Sequence, residues 1–279
     1  MPHTVIVPPS GWRLVNWKEL VEYRDLVAQF VLRDVSAMYK QTVLGYAWAI
    51  IRPFVSMIVF TVIFGNLADV PSDGVPYALF SFAGLLPWTY FSGSLNGSVG
   101  SLLAQRSVFT KVYFPRLIIP LTPALTALID LAIAGIMLGG MMVYFGVVPT
   151  WNALFLPVLI LIMMATAVGT GFWLSSLALQ YRDVSQAMGF GVQLLMYAAP
   201  VVWPVSLIAE KFPENGELIR MVYGLYPMAG VIEGFRSALI GTIPMPWDLI
   251  GMGALSASIL LFTGALYFRR SEPTFADVA

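Results

Sequence analysis

The chain has 279 residues, of which 58% are hydrophobic and 11% charged, with a mean hydropathy of +0.80. Water-soluble domains carry about a quarter charged residues, so this chain cannot cover a soluble core and reads as an all-α integral membrane protein with spans of about 20 residues each. The 15 basic and 15 acidic side chains cancel, which offers no surface for nucleic acid; without cysteine there is no thiol chemistry, and the lone His3 leaves no His-based metal site.

Residues 1–31 read as a cytoplasmic tail followed by an amphipathic helix. Met1–Ser10 holds three prolines and no basic stretch, so no cleavable signal peptide is visible, and the first span is expected to direct insertion. Over Trp12–Val31, Leu20, Tyr23, Val27, Phe30 and Val31 recur at helical spacing, with Lys18, Glu19, Glu22 and Asp25 on the other side. That pattern suits a helix in the headgroup layer with Trp12 and Trp17 as anchors; a helix packed on a soluble partner gives the same pattern.

Residues 32–279 read as one permease domain. Six spans are expected, at about 43–67, 77–101, 117–145, 153–179, 184–202 and 249–268. Arg52-Pro53 interrupts the first, and Pro87 is expected to kink the second. The second continues through the Gly/Ser-rich run Ser92–Ser101, which permits close helix contact. Trp203–Gly241 is too apolar for a plain loop, but its apolar pieces are too short to span, which suggests two short re-entrant helices or helices flat on the outer leaflet. With both termini cytoplasmic, the basic residues split 12 inside against 3 outside, the latter being Lys211, Arg220 and Arg236.

The chain's lysines follow Trp17, Tyr39, Thr110 and Glu210, never glycine, so it lacks the phosphate-cradling Gly-Lys loop that binds ATP. No Ser/His/Asp set is available with His3 alone. Two ionisable residues fall inside spans, and these are costly unless they face a cavity or the bundle interior. Arg52 suits either an anionic headgroup or snorkelling to the cytoplasmic surface; Asp130 suits a structural hydrogen bond. Arg24, Arg33 and Lys40 lie just before Arg52 and can gather the same headgroup. Trp48, Trp88, Tyr90, Phe91, Tyr197 and Trp203 offer either stacking platforms for sugar rings along a channel or an interfacial aromatic belt.

Four pieces, taken in order, carry a resemblance. They are Tyr23-Arg-Asp-Leu26 with Arg33-Asp34, Tyr39–Gly45, Trp48 and Pro53; Ala83–Trp88 with Phe91; Asn96 through Lys111 to Phe114-Pro115; and Pro200-Val201 with Pro227-Met228 and Glu233–Arg236. Together they resemble the permease subunit of bacterial polysaccharide ATP-binding-cassette exporters, which move lipid-linked O antigen, teichoic acid or capsule across the cell membrane. The resemblance implies a homodimer in the bacterial inner membrane, meeting through the first and fifth spans, with two copies of a separate ATPase that binds ATP and Mg. It implies a coupling surface at Arg106, Phe109, Lys111, Tyr113, Phe114 and Pro115, with Arg182 and Asp183. It also implies an outer gate at Pro227, Met228, Glu233 and Arg236, and a lipid-linked polysaccharide as cargo. Met38 and Tyr226 depart from the family pattern and leave the substrate subtype open. A drug- or lipid-exporting permease of the same six spans, or a membrane-embedded glycosyl or acyl transferase, are the other readings.

Overall fold

The computed structural model describes residues 21–40, 42, 44–109, 113–241 and 243–275. Among the described residues there are eleven helices and no strand. They are α1 (Arg24–Tyr39), α2 (Trp48–Phe60, continuing as a π-helical stretch Thr61–Leu67), α3 (Tyr77–Ala104), the single turn α4 (Arg106–Phe109), α5 (Ile118–Phe145), α6 (Leu156–Gln180), α7 (Arg182–Ala198), α8 (Ser206–Lys211), α9 (Gly216–Gly224), α10 (Pro227–Leu239) and α11 (Trp247–Ser271). Pro53 and Pro87 both lie within continuous helices.

Four helical stretches are long and apolar enough to cross a membrane: Trp48–Leu67, Ile118–Phe145, Trp151–Gln180 and Trp247–Thr274. They coincide with the expected first, third, fourth and last spans. The expected second span is α3, which at 28 residues has the length but is diluted by Ser, Gly and Asn. The expected fifth span is α7, and it ends at Ala198, not Val202. The residue before a proline is pushed out of the helical region, and Ala199, which precedes Pro200, is extended at φ −77 and ψ 148.

The composition of α3 follows from its position. It packs against α2, α5, α6 and α10, and Leu79, Phe80, Phe82, Ala83, Leu95 and Leu102 have no exposed surface. A helix that meets protein on most sides needs shape rather than hydrophobicity, and small residues let neighbours approach. A Cβ on Gly97 would fall 2.7 Å from Pro123, and the Ser98 hydroxyl donates to the Pro120 carbonyl at 2.7 Å. The run Ser92–Ser101 therefore packs within the protomer along one face, while Gly93, Asn96 and Gly97 remain exposed.

The closest helix crossing joins α6 and α11. A Cβ on Gly264 would sit 2.2 Å from the Gly169 carbonyl oxygen, so the two backbones touch directly. One turn on, Trp173 stacks on Tyr267 at 4.3 Å and its indole N–H donates to Thr263.

α1 and the described end of the chain after α11 meet at one end of the bundle. Phe30 of α1, Phe114, Leu117, Phe268 and Phe275 share one buried cluster, and the Arg116 guanidinium donates to the Glu272 carbonyl at 2.7 Å. Tyr23, Leu26, Val27 and Phe30 form the expected apolar stripe, and the stripe packs on the protein's own bundle. The start of the expected helix, with Trp12 and Trp17, lies outside the described residues. At the other end, the segment Trp203–Gly241 contains three short helices, α8, α9 and α10, where two were expected; α10 is buried along almost its whole length.

Candidate functional site

The segment after α7 poses a hydrogen-bonding problem. The last four carbonyls of a helix have no partner within it, and Ala199–Val205 is irregular backbone buried against the bundle, where unpaired polar groups are costly. Half-buried aromatic side chains, with the buried Tyr77, supply the donors. The Tyr226 hydroxyl donates to Leu195 O at 3.3 Å, the Trp203 indole to Tyr197 O at 3.4 Å, and the Tyr223 hydroxyl to Ala198 O at 2.7 Å. The Tyr77 hydroxyl donates to Val202 O at 2.6 Å.

Arg236 is the centre of this set and is 0% exposed. Its Nη2 donates to Val201 O at 2.7 Å, its Nε to Phe80 O at 3.3 Å, and its Nη1 to Glu233 Oε1 at 3.0 Å and, at a longer 3.5 Å, to Trp203 O. The guanidinium lies 3.5 Å from the centre of the Phe80 ring. Glu233 Oε1 also accepts the Val205 amide at 3.2 Å. The spacing of three residues on α10 puts both charges on one face, and Gly84 of α3 makes the room, since a Cβ there would fall 2.7 Å from Nη2. Desolvating two ions costs several kcal/mol each, which only good geometry and further hydrogen bonds offset. Arginine's planar fork of five donors meets that need in a way lysine's point charge does not. With its donors committed to protein groups, this guanidinium is a lock on the segment Ala199–Val205 and not a free anion site.

The other expected gate residues, Pro227 and Met228, open the same helix and are buried. Of the three basic residues that charge counting places together, Arg236 is buried and paired, Lys211 is exposed, and Arg220 pairs with Asp248 at 2.7 Å.

Of the channel aromatics, Trp88, Tyr90 and Phe91 lie in the protomer core at 4%, 2% and 3% exposure, with the Tyr90 hydroxyl donating to Ala124 O at 3.0 Å. They have no open face in the protomer. Trp48 and Tyr197 are exposed, and Trp203 packs near Tyr223. Of the headgroup residues, Arg52 is exposed with its guanidinium 5.7 Å from the Trp48 ring, and Lys40 is exposed. Arg33 pairs with Asp34 at 2.7 Å and lies over Phe30, and Arg24 sits beside Asp25 at 3.7 Å.

The coupling residues divide. Lys111 and the side chains of Phe109 and Arg182 lie outside the described residues. Arg106 and Asp183 are exposed and Pro115 is half-buried, while Tyr113 is 74% exposed. Phe114 is 4% exposed, edge-on to Phe30 at 5.7 Å. Phe114→Ala is therefore expected to lower stability by about 3 kcal/mol, as large aromatic truncations in cores do, which thermal unfolding of the purified protein would register.

Reasoning from sequence did not single out Tyr77 or Tyr223, took Tyr226 only as a departure from the family pattern, and met Gly84 only as part of the Ala83–Trp88 motif. The signal was there in part: a buried Arg must find several carbonyls and a gap beside it.

Residues 26–240 match the family described as ABC-2 type transporter. The chain is 26% identical over 262 residues to the O-antigen export system permease protein RfbA of Myxococcus xanthus, covering 93% of this chain and 97% of that one. It is 26% identical over 256 residues to the RfbA permease of Klebsiella pneumoniae, covering 91% and 95%. Against the polysialic acid transport protein KpsM of Escherichia coli it is 22% identical over 260 residues, covering 88% and 93%.

Proposed function

The chain belongs to the ABC-2 type transporter family, and from that premise we propose that it is the membrane subunit of a polysaccharide exporter driven by a separate ATPase. The observation that carries this is the end-to-end similarity to O-antigen export permeases, with no long stretch of either chain left over. The cargo is a glycan on a polyprenyl diphosphate, and the chain is a permease without an ATP site of its own.

On this reading the protein crosses the bacterial inner membrane six times. α3 and α7 complete the set begun by the four apolar spans, and both termini are cytoplasmic. Support comes from the placement of Arg106, Arg116, Arg269 and Arg270 at the end where α1 packs against the C-terminal end of α11. Two copies pair through α2 and α7, whose Phe54, Val55, Val59, Phe190 and Leu194 are exposed large apolar side chains, and each copy binds one ATPase.

Tyr113 is the aromatic side chain available to that ATPase. Tyr113→Ala is expected to leave the melting temperature unchanged and to weaken co-purification of the ATPase by about tenfold, the loss of a modest hot spot. Unchanged co-purification would take Tyr113 out of the coupling surface.

Arg52 is the basic residue set within a span, in the second turn of α2, and it suits the diphosphate headgroup. Arg52→Ala is expected to stop export while the protein still inserts and dimerises, and Arg52→Lys to restore only part of it. Export at the wild-type rate from Arg52→Ala would mean that the side chain merely snorkels.

The function itself is tested by deleting the chain in its native host. Loss of surface polysaccharide, with lipid-linked glycan retained on the cytoplasmic side, is the expected result. Normal surface polysaccharide with a new drug or lipid sensitivity would replace this reading with that of a different exporter.

A further inference from the structure

α5 and α6 are consecutive in the chain yet touch each other little, because α5 packs mainly on α3 and α6 on α11 and α3. They leave between them a cleft of about 430 Å³. Its lining includes Leu86 of α3, Phe235 and Leu239 of α10, Gly135 and Gly139 of α5, and Ile160 of α6, and it contains no polar side chain. Along α5 the lining extends from Leu128 to Met142, about 21 Å at 1.5 Å per residue. A Cβ built on Gly135 or Gly139 would meet nothing within 4 Å. These glycines therefore do not serve a close helix contact inside the protomer; they widen the cleft.

We propose that this cleft holds one acyl chain of an outer-leaflet phospholipid. The leaflet rests on the orientation given above; the occupant does not. A cleft lined only by apolar groups, between two membrane-spanning helices, opens to hydrocarbon and not to water. A second helix, about 10–12 Å across with its side chains, is too thick for it, whereas a single hydrocarbon chain is not. Charge separates the phospholipid from a prenyl diphosphate. The turn that closes the cleft, residues 146–155, has no charged side chain, so nothing there offsets a diphosphate, while a zwitterionic headgroup needs no such partner. Trp151, in the same turn, is 95% exposed and suits the headgroup layer. The occupant would lie against Phe235 and Leu239, on the helix that carries Glu233 and Arg236, and so brace the locked outer segment.

The test is to label the wild-type protein in nanodiscs of phosphatidylethanolamine carrying a photoreactive group on one acyl chain, and to map the adducts by mass spectrometry. Adducts are expected between Leu128 and Met142 and at Phe235–Leu239, falling about tenfold when Gly135→Leu and Gly139→Leu fill the space. Adducts confined to other surfaces would overturn the proposal. So would displacement of the cleft adducts by a polyprenyl diphosphate, or an Ala132→Cys disulfide linking two copies in a chain that otherwise has no cysteine. Cleft adducts in a protein shown to export no polysaccharide would support this inference and leave only the export reading overturned.

Discussion

Replacing Arg236 with Ala is expected to remove about 3–5 kcal/mol of stability, the cost of breaking a buried ion pair from one side. Three consequences act together. Glu233, 1% exposed, is left with no cation beside it; the carbonyls of Val201 and Phe80 lose their donors; and the Phe80 ring loses the cation 3.5 Å from its centre. The variant is expected to melt well below wild type in detergent and to lose the single symmetric peak of a folded protein on size exclusion. Arg236→Lys should recover only a fraction, because one ammonium cannot serve four separate acceptors with a planar fork's geometry. Replacing both Arg236 and Glu233 with Met keeps the volume and removes both charges, and should be more stable than Arg236→Ala, since no lone ion remains. If Arg236→Ala melts with the wild type, the lock has been misassigned and the outer segment is held elsewhere.

Gly264→Val is expected to be as damaging, by a different route. A Cβ at this position falls 2.2 Å from the Gly169 carbonyl oxygen and 3.0 Å from its carbon, both main-chain atoms that no rotamer change can move. α6 and α11 must then separate, taking the Trp173–Tyr267 stack and the Trp173–Thr263 hydrogen bond with them. Overpacking of a close-packed core costs about 1–3 kcal/mol where side chains can yield, and more is expected where only backbone can. Gly251→Ala on the same helix meets nothing within 4 Å and should melt like wild type. Equal melting of Gly264→Val and Gly251→Ala would show that the two helices do not depend on this crossing.

The two variants also mark how far the sequence could be read. Gly169 and Gly264 sit in uncharged apolar runs like any other glycine there, and their role comes from the depth at which two helices cross. Arg236 had a visible identity but a misleading setting. In a segment with Glu210, Lys211, Glu214, Glu217 and Arg220 it reads as one more outer charge, and only the fold of α10 under Ala199–Val205 puts it out of water. Phe114 illustrates the opposite error. An apolar residue in a basic loop suggests a missing partner, but Phe30 of the same chain already covers it.

The sequence by itself determined the solvent, the helical class, the place of four spans and the apolar stripe of α1, because these depend on composition and on a period of 3.6 residues that any window contains. It also carried the family, through an ordered set of short motifs spread along the chain. Only the tertiary structure decided which polar groups are buried together. Tyr77, Phe80 and Gly84 lie more than 100 residues from the carbonyls and the guanidinium they meet, and no local pattern reports a contact at that separation. It also decided that α3, the most Gly- and Ser-rich of the long helices, lies at the centre: a helix surrounded by protein is selected for fit to its neighbours, so its sequence loses the hydrophobicity that lipid would have imposed.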